Sequence, residues 1–190
     1  TLQGYADAGG VKKAITQTAE GVYDKLNPAE QTIARGIFLR LTELGEGVQD
    51  TRRRVKLDEL GQSKEQDAVA KVLKTLTDAR LVTTEEDSAE VAHEALIREW
   101  GTLRRWLDED RESLRLHRYL TESAQEWERS GGNDFYLIHR GGRLDDALSL
   151  KENSIFSLSD GEQFYLNACI ALRNKEQRER ERKENLKKNS

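Results

Sequence analysis

The scarcity of proline constrains this chain most, because Pro28 is its single proline among 190 residues. Proline breaks helices, since it lacks an N–H donor and its ring clashes with the preceding turn. A chain with one proline can therefore hold long, uninterrupted helices. Pro28 itself stands where a helix is expected to begin, because Asn27 can cap that helix and Glu30 can reach back to the cap.

Apolar residues recur at helical spacing through most of the sequence. This periodicity follows Gly9–Gly10, Pro28 and Ser63, and it fills nearly all of the chain beyond His93. The segment that begins at Pro28 is expected to continue until Gly45, because glycine commonly ends helices. The pattern predicts a mainly α protein.

Short β segments interrupt the helices in the first half of the chain. Residues 81–84 and 89–92 read as two strands joined by a tight acidic turn, and residues 51–56 read as a third strand. Residues 57–60 read as one turn of helix. This order of elements predicts a winged helix, with three helices and a small β-hairpin wing, followed by a helical bundle extension.

The sequence divides into four expected segments. Residues 1–26 are the end of a preceding helical subdomain, 27–100 the winged-helix domain, 101–173 a helical domain, and 174–190 a charged helical tail or linker. The chain contains no methionine and opens on Thr1. We therefore expect it to be a piece of a longer protein.

Composition and charge argue against nucleic acid and membranes as partners. The formal net charge is −4, so the chain has no general basic field of the kind that nucleic-acid binders use. A single cysteine excludes an internal disulfide and fits the cytoplasm. No apolar run approaches the roughly 20 residues needed to cross a membrane, so no membrane partner is expected.

No constellation of catalytic or metal-binding residues is present in the sequence. A phosphate-binding glycine loop followed by Lys and Ser or Thr is missing, and no Cys/His cluster has the spacing of a metal site. The histidines His93, His117 and His139 are scattered, and Cys169 lies among apolar residues of a helix. We expect no catalytic residue, no metal site and no enzyme activity from this chain alone.

The basic run Arg52, Arg53 and Arg54 has two interpretations. The arginines are either solvated and salt-bridged on a strand, or they contact an anion or a partner, since guanidinium binds phosphate and carboxylate with two hydrogen bonds. A winged helix that reads DNA would also carry basic residues on its third helix, yet residues 65–78 are balanced in charge. A nucleic-acid-binding module with these arginines as a phosphate clamp, or a protein-interaction scaffold, remains an alternative function.

His93 stands between the last strand and the next helix. On the residues alone, a histidine at such a junction is most often packed or capping. The other interpretation is that its imidazole projects beside a helix N-terminus, where a positive potential favours anions. A phosphate group would fit that field.

Several stretches, in fixed order, carry a resemblance to a known family. They include VYDKLNPAEQTIARGIFLRL, GEGVQDTRRRV, VLKTLTDARLVT, EVAHEALIREW and GGRLDDAL. Together they resemble the C-terminal part of the bacterial novel STAND NTPase domain, over roughly Thr1 to Leu172. STAND proteins are ATPases that act as signalling switches.

The resemblance implies partners outside this chain. An upstream nucleotide-binding domain would supply the phosphate loop, bind ATP or ADP and hold Mg²⁺. Downstream sensor repeats, often WD repeats, would follow the charged tail, and activation would bring oligomerisation. This cytoplasmic chain would then be the regulatory winged-helix and helical segment of the switch, and it would bind no nucleotide alone.

The resemblance also gives His93 a role. Residues 91–98 are similar to an element of plant-immune relatives that carries a Met-His-Asp motif, whose histidine contacts the β-phosphate of ADP. His93 matches that histidine, whereas Ala92 replaces Met and Glu94 replaces Asp. Gly101 stands where the family has proline, which predicts a softer break in the helix at that point.

Overall fold

A computed structural model describes residues 2–153 and 157–190. Within these residues the fold is made of α-helices with a few short strands, so the mainly α prediction is confirmed. The described residues form two compact units, one made of the chain up to residue 115 with residues 157–159, the other of residues 116–153 and 160–190. The predicted limits at residues 26, 100 and 173 remain predictions.

Helix α1 (Leu2–Lys25) runs through the glycine pair after which its start was expected. Helix α2 (Pro28–Arg40) begins with the predicted capping box. The Glu30 backbone N–H donates to Asn27 Oδ1 at 2.9 Å, and the Asn27 backbone N–H donates to Glu30 Oε1 at 3.1 Å. Two otherwise unsatisfied N–H groups are thereby paired, which fixes where α2 starts.

The predicted continuation of α2 to Gly45 is wrong. The helix ends at Arg40, and strand β1 (Thr42–Glu43) follows almost at once. Thr42 and Glu43 pair antiparallel with strand β2 (Thr51–Arg52), so residues 44–50 form the loop between the two strands. The pairing across the loop overrides the local helical periodicity, which sequence spacing alone does not reveal.

The strand predicted over residues 51–56 is two strands with different partners. β2 pairs with β1, whereas β3 (Val55–Lys56) joins a three-stranded sheet with β4 (Val82–Glu85) and β5 (Ser88–Val91), in the order β3-β5-β4. The predicted hairpin is present, with a turn of only Glu86 and Asp87. Glu86 has φ 52°, the left-handed conformation that such tight turns require.

The remaining elements of this half follow the predicted order. A single helical turn covers Leu57–Leu60, and helix α3 (Gln66–Asp78) follows a 3₁₀ turn over Ser63–Glu65. Val69, Val72 and Leu76 form the buried stripe of α3. The winged-helix assignment itself rests on this order of elements and stays a prediction.

The helix after the hairpin is completely interrupted, although a softer break was expected. Helix α4 (Glu94–Glu99) ends at Trp100, whose φ of −75° and ψ of 108° are extended, and helix α5 (Gly101–Arg129) begins at the next residue. Trp100 occupies the core of the first unit, against Phe38 and Trp106. The helix is therefore interrupted without a proline at position 101, because the buried Trp100 indole fixes the backbone there.

Helices α6 (Gly142–Asn153) and α7 (Asp160–Lys188) complete the second unit together with the C-terminal part of α5. α7 is continuous through the charged residues 174–188, which are almost all exposed, so this tail is a solvated helix extension. Buried polar pairs accompany the apolar core. His117 Nε2 lies 3.1 Å from both carboxylate oxygens of Glu162.

His139 is the second buried histidine of this unit. Its Nδ1 lies 2.8 Å from Tyr165 Oη. Burial, with the nearby charge of Arg143, lowers the pKa of His139 to about 4, so the ring is neutral at pH 7. A neutral ring can accept the Tyr165 hydroxyl proton at Nδ1, and burial correspondingly raises the pKa of Tyr165.

Acidification should therefore destabilise this unit through His139. Between the unfolded-state pKa near 6.5 and the folded value of about 4, the unfolded chain binds a proton that the folded chain does not. Stability is complete above this window and falls by about 3 kcal/mol across it as the pH decreases. The Nε2 and Cε1 resonances of His139 should titrate near pH 4 by NMR. A ring that titrated near pH 6.5, or an unchanged pH slope of stability in His139→Gln, would contradict this assignment.

Candidate functional site

His93 lies at the surface, just after the second strand of the hairpin. β4 and β5 are held in register by the pairs Val82 with Val91 and Thr84 with Ala89. His93 follows directly, with an extended backbone (φ −138°, ψ 128°), and is the N-terminal cap residue of α4. Its side chain is exposed and makes no capping hydrogen bond to the helix, so the imidazole nitrogens are not used by α4.

An open cleft surrounds His93. Helix α1 forms one wall through Val11, Lys12 and Ile15, while Arg52 of β2 and residues 92–95 form the other. The structure therefore brings His93 together with Arg52, two residues that the sequence places 41 positions apart. Lys12 was not predicted as a site residue, because nothing in its own segment marks it.

The charged side chains of the cleft are held by exposed or half-exposed ion pairs. These are Arg52–Glu90 at 3.3 Å, Lys12–Glu99 at 3.8 Å and Arg98–Glu94 at 3.4 Å. Pairs of this kind are weak, typically below about 1 kcal/mol, so Arg52 and Lys12, the two cations that line the cleft, can each exchange their carboxylate for a stronger anion. The cleft thus presents two cations, an imidazole and the Glu94 carboxylate beside apolar side chains.

The three consecutive arginines have three different environments. Arg52 lines the cleft with His93. Arg54 is exposed and pairs with Glu85 at 3.3 Å and Glu90 at 3.6 Å. Arg53 points inward, so the run does not form one continuous basic patch.

Arg53 belongs to a buried charged network. Its guanidinium donates two hydrogen bonds to Glu59, at 2.6 and 3.0 Å, and one to the carbonyl oxygen of Arg40 at 3.1 Å. Arg40 lies 3.4 Å from the same carboxylate and donates to the Ser157 carbonyl oxygen at 2.8 Å. Of the two interpretations of the run, salt-bridging describes Arg53.

A second charged cluster lies around Asp50, which the sequence did not single out. Its carboxylate accepts hydrogen bonds from the Gly45 amide at 2.8 Å, from Arg104 at 3.0 Å and from Arg111 at 2.7 and 3.1 Å. Burial alone would raise the pKa of Asp50, but these hydrogen bonds outweigh it and hold the pKa below its usual range. Arg104 and Arg111 share a helix face at a spacing of seven, a signal that could have drawn attention to them.

The other candidate residues are structural. His117 and His139 are buried within the second unit, and Cys169 is buried with its pKa raised by burial, which keeps the thiol protonated. Among the residues that the structure describes, no three His, Cys, Asp or Glu side chains are grouped to hold a metal ion. Of the three histidines and the cysteine, His93 is therefore the one whose side chain is exposed to a ligand.

Comparison with known proteins identifies the family of this chain. The sequence profile of Novel STAND NTPase 1 matches residues 1–134 of the 190. The chain belongs to this family. No curated protein and no solved structure shows a significant match to the chain.

The matched region of this STAND-family chain includes both charged features. The His93 cleft and the Asp50 cluster lie entirely within residues 1–134, whereas α6 and α7 lie beyond it. The predicted resemblance to the novel STAND NTPase family is thus confirmed over residues 1–134, a shorter stretch than the predicted limit at Leu172. No helix in the described parts of the STAND-family chain combines the length and apolar character that a membrane crossing needs.

Proposed function

We propose that this chain is the regulatory segment of an ATP- and ADP-dependent STAND signalling switch. Membership of the STAND family supports a multidomain NTPase context. The observation that carries the proposal further is His93, exposed at the head of α4 in a cleft with Arg52 and Lys12. In this proposal His93 donates a hydrogen bond to the β-phosphate of ADP bound mainly by an upstream domain.

The residues of the cleft fit a phosphate group. A phosphate oxygen needs N–H donors and compensation of its charge. His93 offers a donor that α4 does not use, and Arg52 and Lys12 offer positive charge from two further elements. Glu94, the replacement for Asp in the resembled motif, lies 3.4 Å from Arg98, which offsets its negative charge.

The remaining parts of a nucleotide site would come from elsewhere in the parent protein. A bound nucleotide would be held by a phosphate loop and Mg²⁺ in the upstream domain, since no phosphate-loop motif occurs in this sequence. In this proposal the chain is not an enzyme and holds no nucleotide alone. It would act in the cytoplasm, where ATP and ADP are available, and link the upstream domain to downstream sensor repeats such as WD repeats.

The proposed switch requires that the bound nucleotide makes different contacts in the two conformations of the protein. A ligand shifts a conformational equilibrium only if its contacts differ between the two states. If the β-phosphate reaches His93 only in the closed state, one charge-assisted hydrogen bond stabilises that state by about 1.5–3 kcal/mol. This corresponds to roughly tenfold or more in the population of the open, oligomerising state.

The electrostatics of the predicted wing and third helix do not favour nucleic acid as the ligand. Lys71 of α3 pairs with Glu30 at 3.5 Å, and Lys74 pairs with Asp78 at 2.8 Å. The hairpin turn carries Glu86 and Asp87. Nucleic-acid binding depends on cations that neutralise phosphates, whereas α3 carries two lysines and two aspartates and therefore has no net positive charge.

Replacing His93 with alanine in the full-length protein tests the proposal. ADP should dissociate about tenfold faster, and the fraction of oligomer should rise, because the closed state loses one charge-assisted hydrogen bond. Retention of radiolabelled ADP after gel filtration and mass photometry would measure the two effects. Unchanged ADP retention together with unchanged oligomerisation would contradict the role of His93.

Arg52 and Arg54 provide a matched pair of control variants. Both are exposed arginines of the same run and both contact Glu90, but only Arg52 lines the cleft. Arg52→Ala should therefore weaken ADP retention in the same direction as His93→Ala, whereas Arg54→Ala should leave it unchanged. Equal effects of the two arginine variants would indicate a general charge effect instead of a contact in the cleft.

A further inference from the structure

A pocket on the first unit gathers four arginines around one carboxylate. Arg104, Arg111 and Arg115 lie on one face of α5 at spacings of seven and four, and Arg98 comes from α4. The loop between β1 and β2 forms the opposite wall, with Asp50 at its end. The pocket shares no lining residue with the His93 cleft.

Asp50 organises the pocket and is the one carboxylate among its lining residues. Its side chain is 2% exposed. It fixes the Arg104 and Arg111 guanidinium groups with hydrogen bonds of 2.7–3.1 Å. Two long side chains are thereby held in place before any ligand arrives, which reduces the entropy that a ligand would otherwise lose in ordering them.

The positive charge of the pocket exceeds what Asp50 neutralises. Among the described residues Arg115 is exposed and has no hydrogen-bond or ion-pair partner. Arg98 has only the half-exposed Glu94 at 3.4 Å. Outside the pocket lining, Asp108 is 69% exposed and 3.8 Å from Arg104, too solvated to compensate strongly. One buried carboxylate therefore faces four guanidinium groups.

We propose that this pocket binds a small anion of the diphosphate class. Guanidinium groups bind phosphate oxygens with paired hydrogen bonds, and each guanidinium carries five N–H donors, of which Asp50 occupies only some. The cavity volume is about 650 Å³, larger than a single phosphate needs. A ligand with two linked phosphoryl groups can contact Arg98 and Arg115 while Asp50 continues to hold Arg104 and Arg111.

This site is independent of the function proposed for His93. The two features share no lining residue, although Arg98 of the pocket pairs with Glu94 of the cleft at 3.4 Å, and all lining residues of the pocket belong to the first unit. The ligand could be free pyrophosphate or the diphosphate part of a nucleotide, since both present the same oxygen atoms. The test separates these sources by comparing pyrophosphate with ADP.

Titration of the 190-residue chain with inorganic pyrophosphate, by calorimetry and ³¹P NMR at low ionic strength, tests the proposal. We expect saturable one-to-one binding. Arg98→Gln and Arg115→Gln should each weaken it about three- to tenfold, as expected for the loss of one charged contact at a partly exposed site. Both side chains are exposed, so these variants should fold, which far-UV circular dichroism would check.

Matched controls separate a site from general charge attraction. Arg54→Gln and Arg173→Gln remove the same charge from exposed arginines outside the pocket, and neither should change pyrophosphate binding. His93→Ala should also leave it unchanged, so that failure of the proposed switch and failure of this site are distinguishable. ADP binding that His93→Ala leaves intact and Arg115→Gln weakens would identify the nucleotide as the source, and pyrophosphate binding without ADP binding the free anion.

Three results would overturn the proposal. The first is the absence of saturable pyrophosphate binding. The second is equal weakening by the pocket variants and the two arginine controls. The third is a preference for orthophosphate or for a pentaglutamate peptide over pyrophosphate, which would assign the pocket to a different class of anion.

Discussion

Replacing Trp100 with alanine is expected to lower the free energy of unfolding of the first unit by about 3–5 kcal/mol, the range for deleting a buried aromatic side chain. Its ring makes edge contacts with Phe38, Trp106 and Tyr23, at centroid distances of 5.1, 5.4 and 6.3 Å. Its Nε1 donates to Glu20 at 2.6 Å. The cavity and the lost hydrogen bond act together at the point where α4 ends and α5 begins.

Urea denaturation followed by far-UV circular dichroism measures this effect. Trp100→Phe keeps an aromatic ring but loses the bond to Glu20, and we expect it to cost about 1–2 kcal/mol. Phe135→Ala is the surface control, because Phe135 is 83% exposed and its loss should change stability by less than about 0.5 kcal/mol. A Trp100→Ala protein as stable as Phe135→Ala would show that the indole does not hold the two helices.

Replacing Asp50 with alanine should destabilise the first unit by about 2–3 kcal/mol, less than for a fully buried pair because the Arg104 and Arg111 side chains are 34% and 25% exposed. The loss leaves the Arg104 and Arg111 guanidinium groups without the carboxylate that they share, and leaves the Gly45 amide without its acceptor. Losing this pair should still cost more than losing an exposed pair, because the Asp50 carboxylate is buried and its hydrogen-bond donors lose their acceptor.

The contribution of Asp50 should depend on pH in a defined direction. Its pKa in the folded chain lies below the unfolded value, so the folded state binds the proton less readily. The stabilisation is complete above the unfolded-state pKa of about 4 and is lost as the pH falls through the lower, folded-state pKa. The difference in stability between the parent chain and Asp50→Ala should therefore shrink below about pH 4.

Asp108→Ala is the matched control for Asp50, because it removes a carboxylate that faces the same Arg104 from an exposed position. We expect it to change stability by less than about 1 kcal/mol. Unfolding curves of the two variants at pH 7 and at pH 3 are the measurement. Equal stability losses for the two variants at pH 7 would show that the burial of Asp50 is energetically unimportant.

The sequence predicted those elements whose stabilising contacts join residues close together in the chain. The capping box at Asn27 and Glu30 joins residues three apart, so it was predicted from the sequence and is present. The hairpin predicted over residues 81–92 from alternation and a short polar turn is present over residues 82–91. The helix expected to reach Gly45 was wrong, because β1 pairs with β2 across a loop, and periodicity carries no information about that pairing.

Some features of the candidate site could likewise be predicted from the sequence, whereas others required the tertiary structure. His93 could be singled out from its position at a strand-to-helix junction and from the family resemblance. Three identical neighbours could not reveal that Arg52 lies in the same cleft, that Arg53 is half-buried against Glu59, or that Arg54 is exposed. Successive residues of an extended segment point in different directions, and which direction is buried depends on what packs there.

The sequence by itself determined the helical class, the helix start at Pro28, the hairpin and the candidate His93, because these depend on residues a few positions apart. The tertiary structure alone decided which charges are paired. Asp50 and Arg111 are 61 residues apart, and Glu20 and Trp100 are 80 apart. Such partners meet only when the chain has packed, since burial and the directions of several helices together determine which groups come within hydrogen-bond distance.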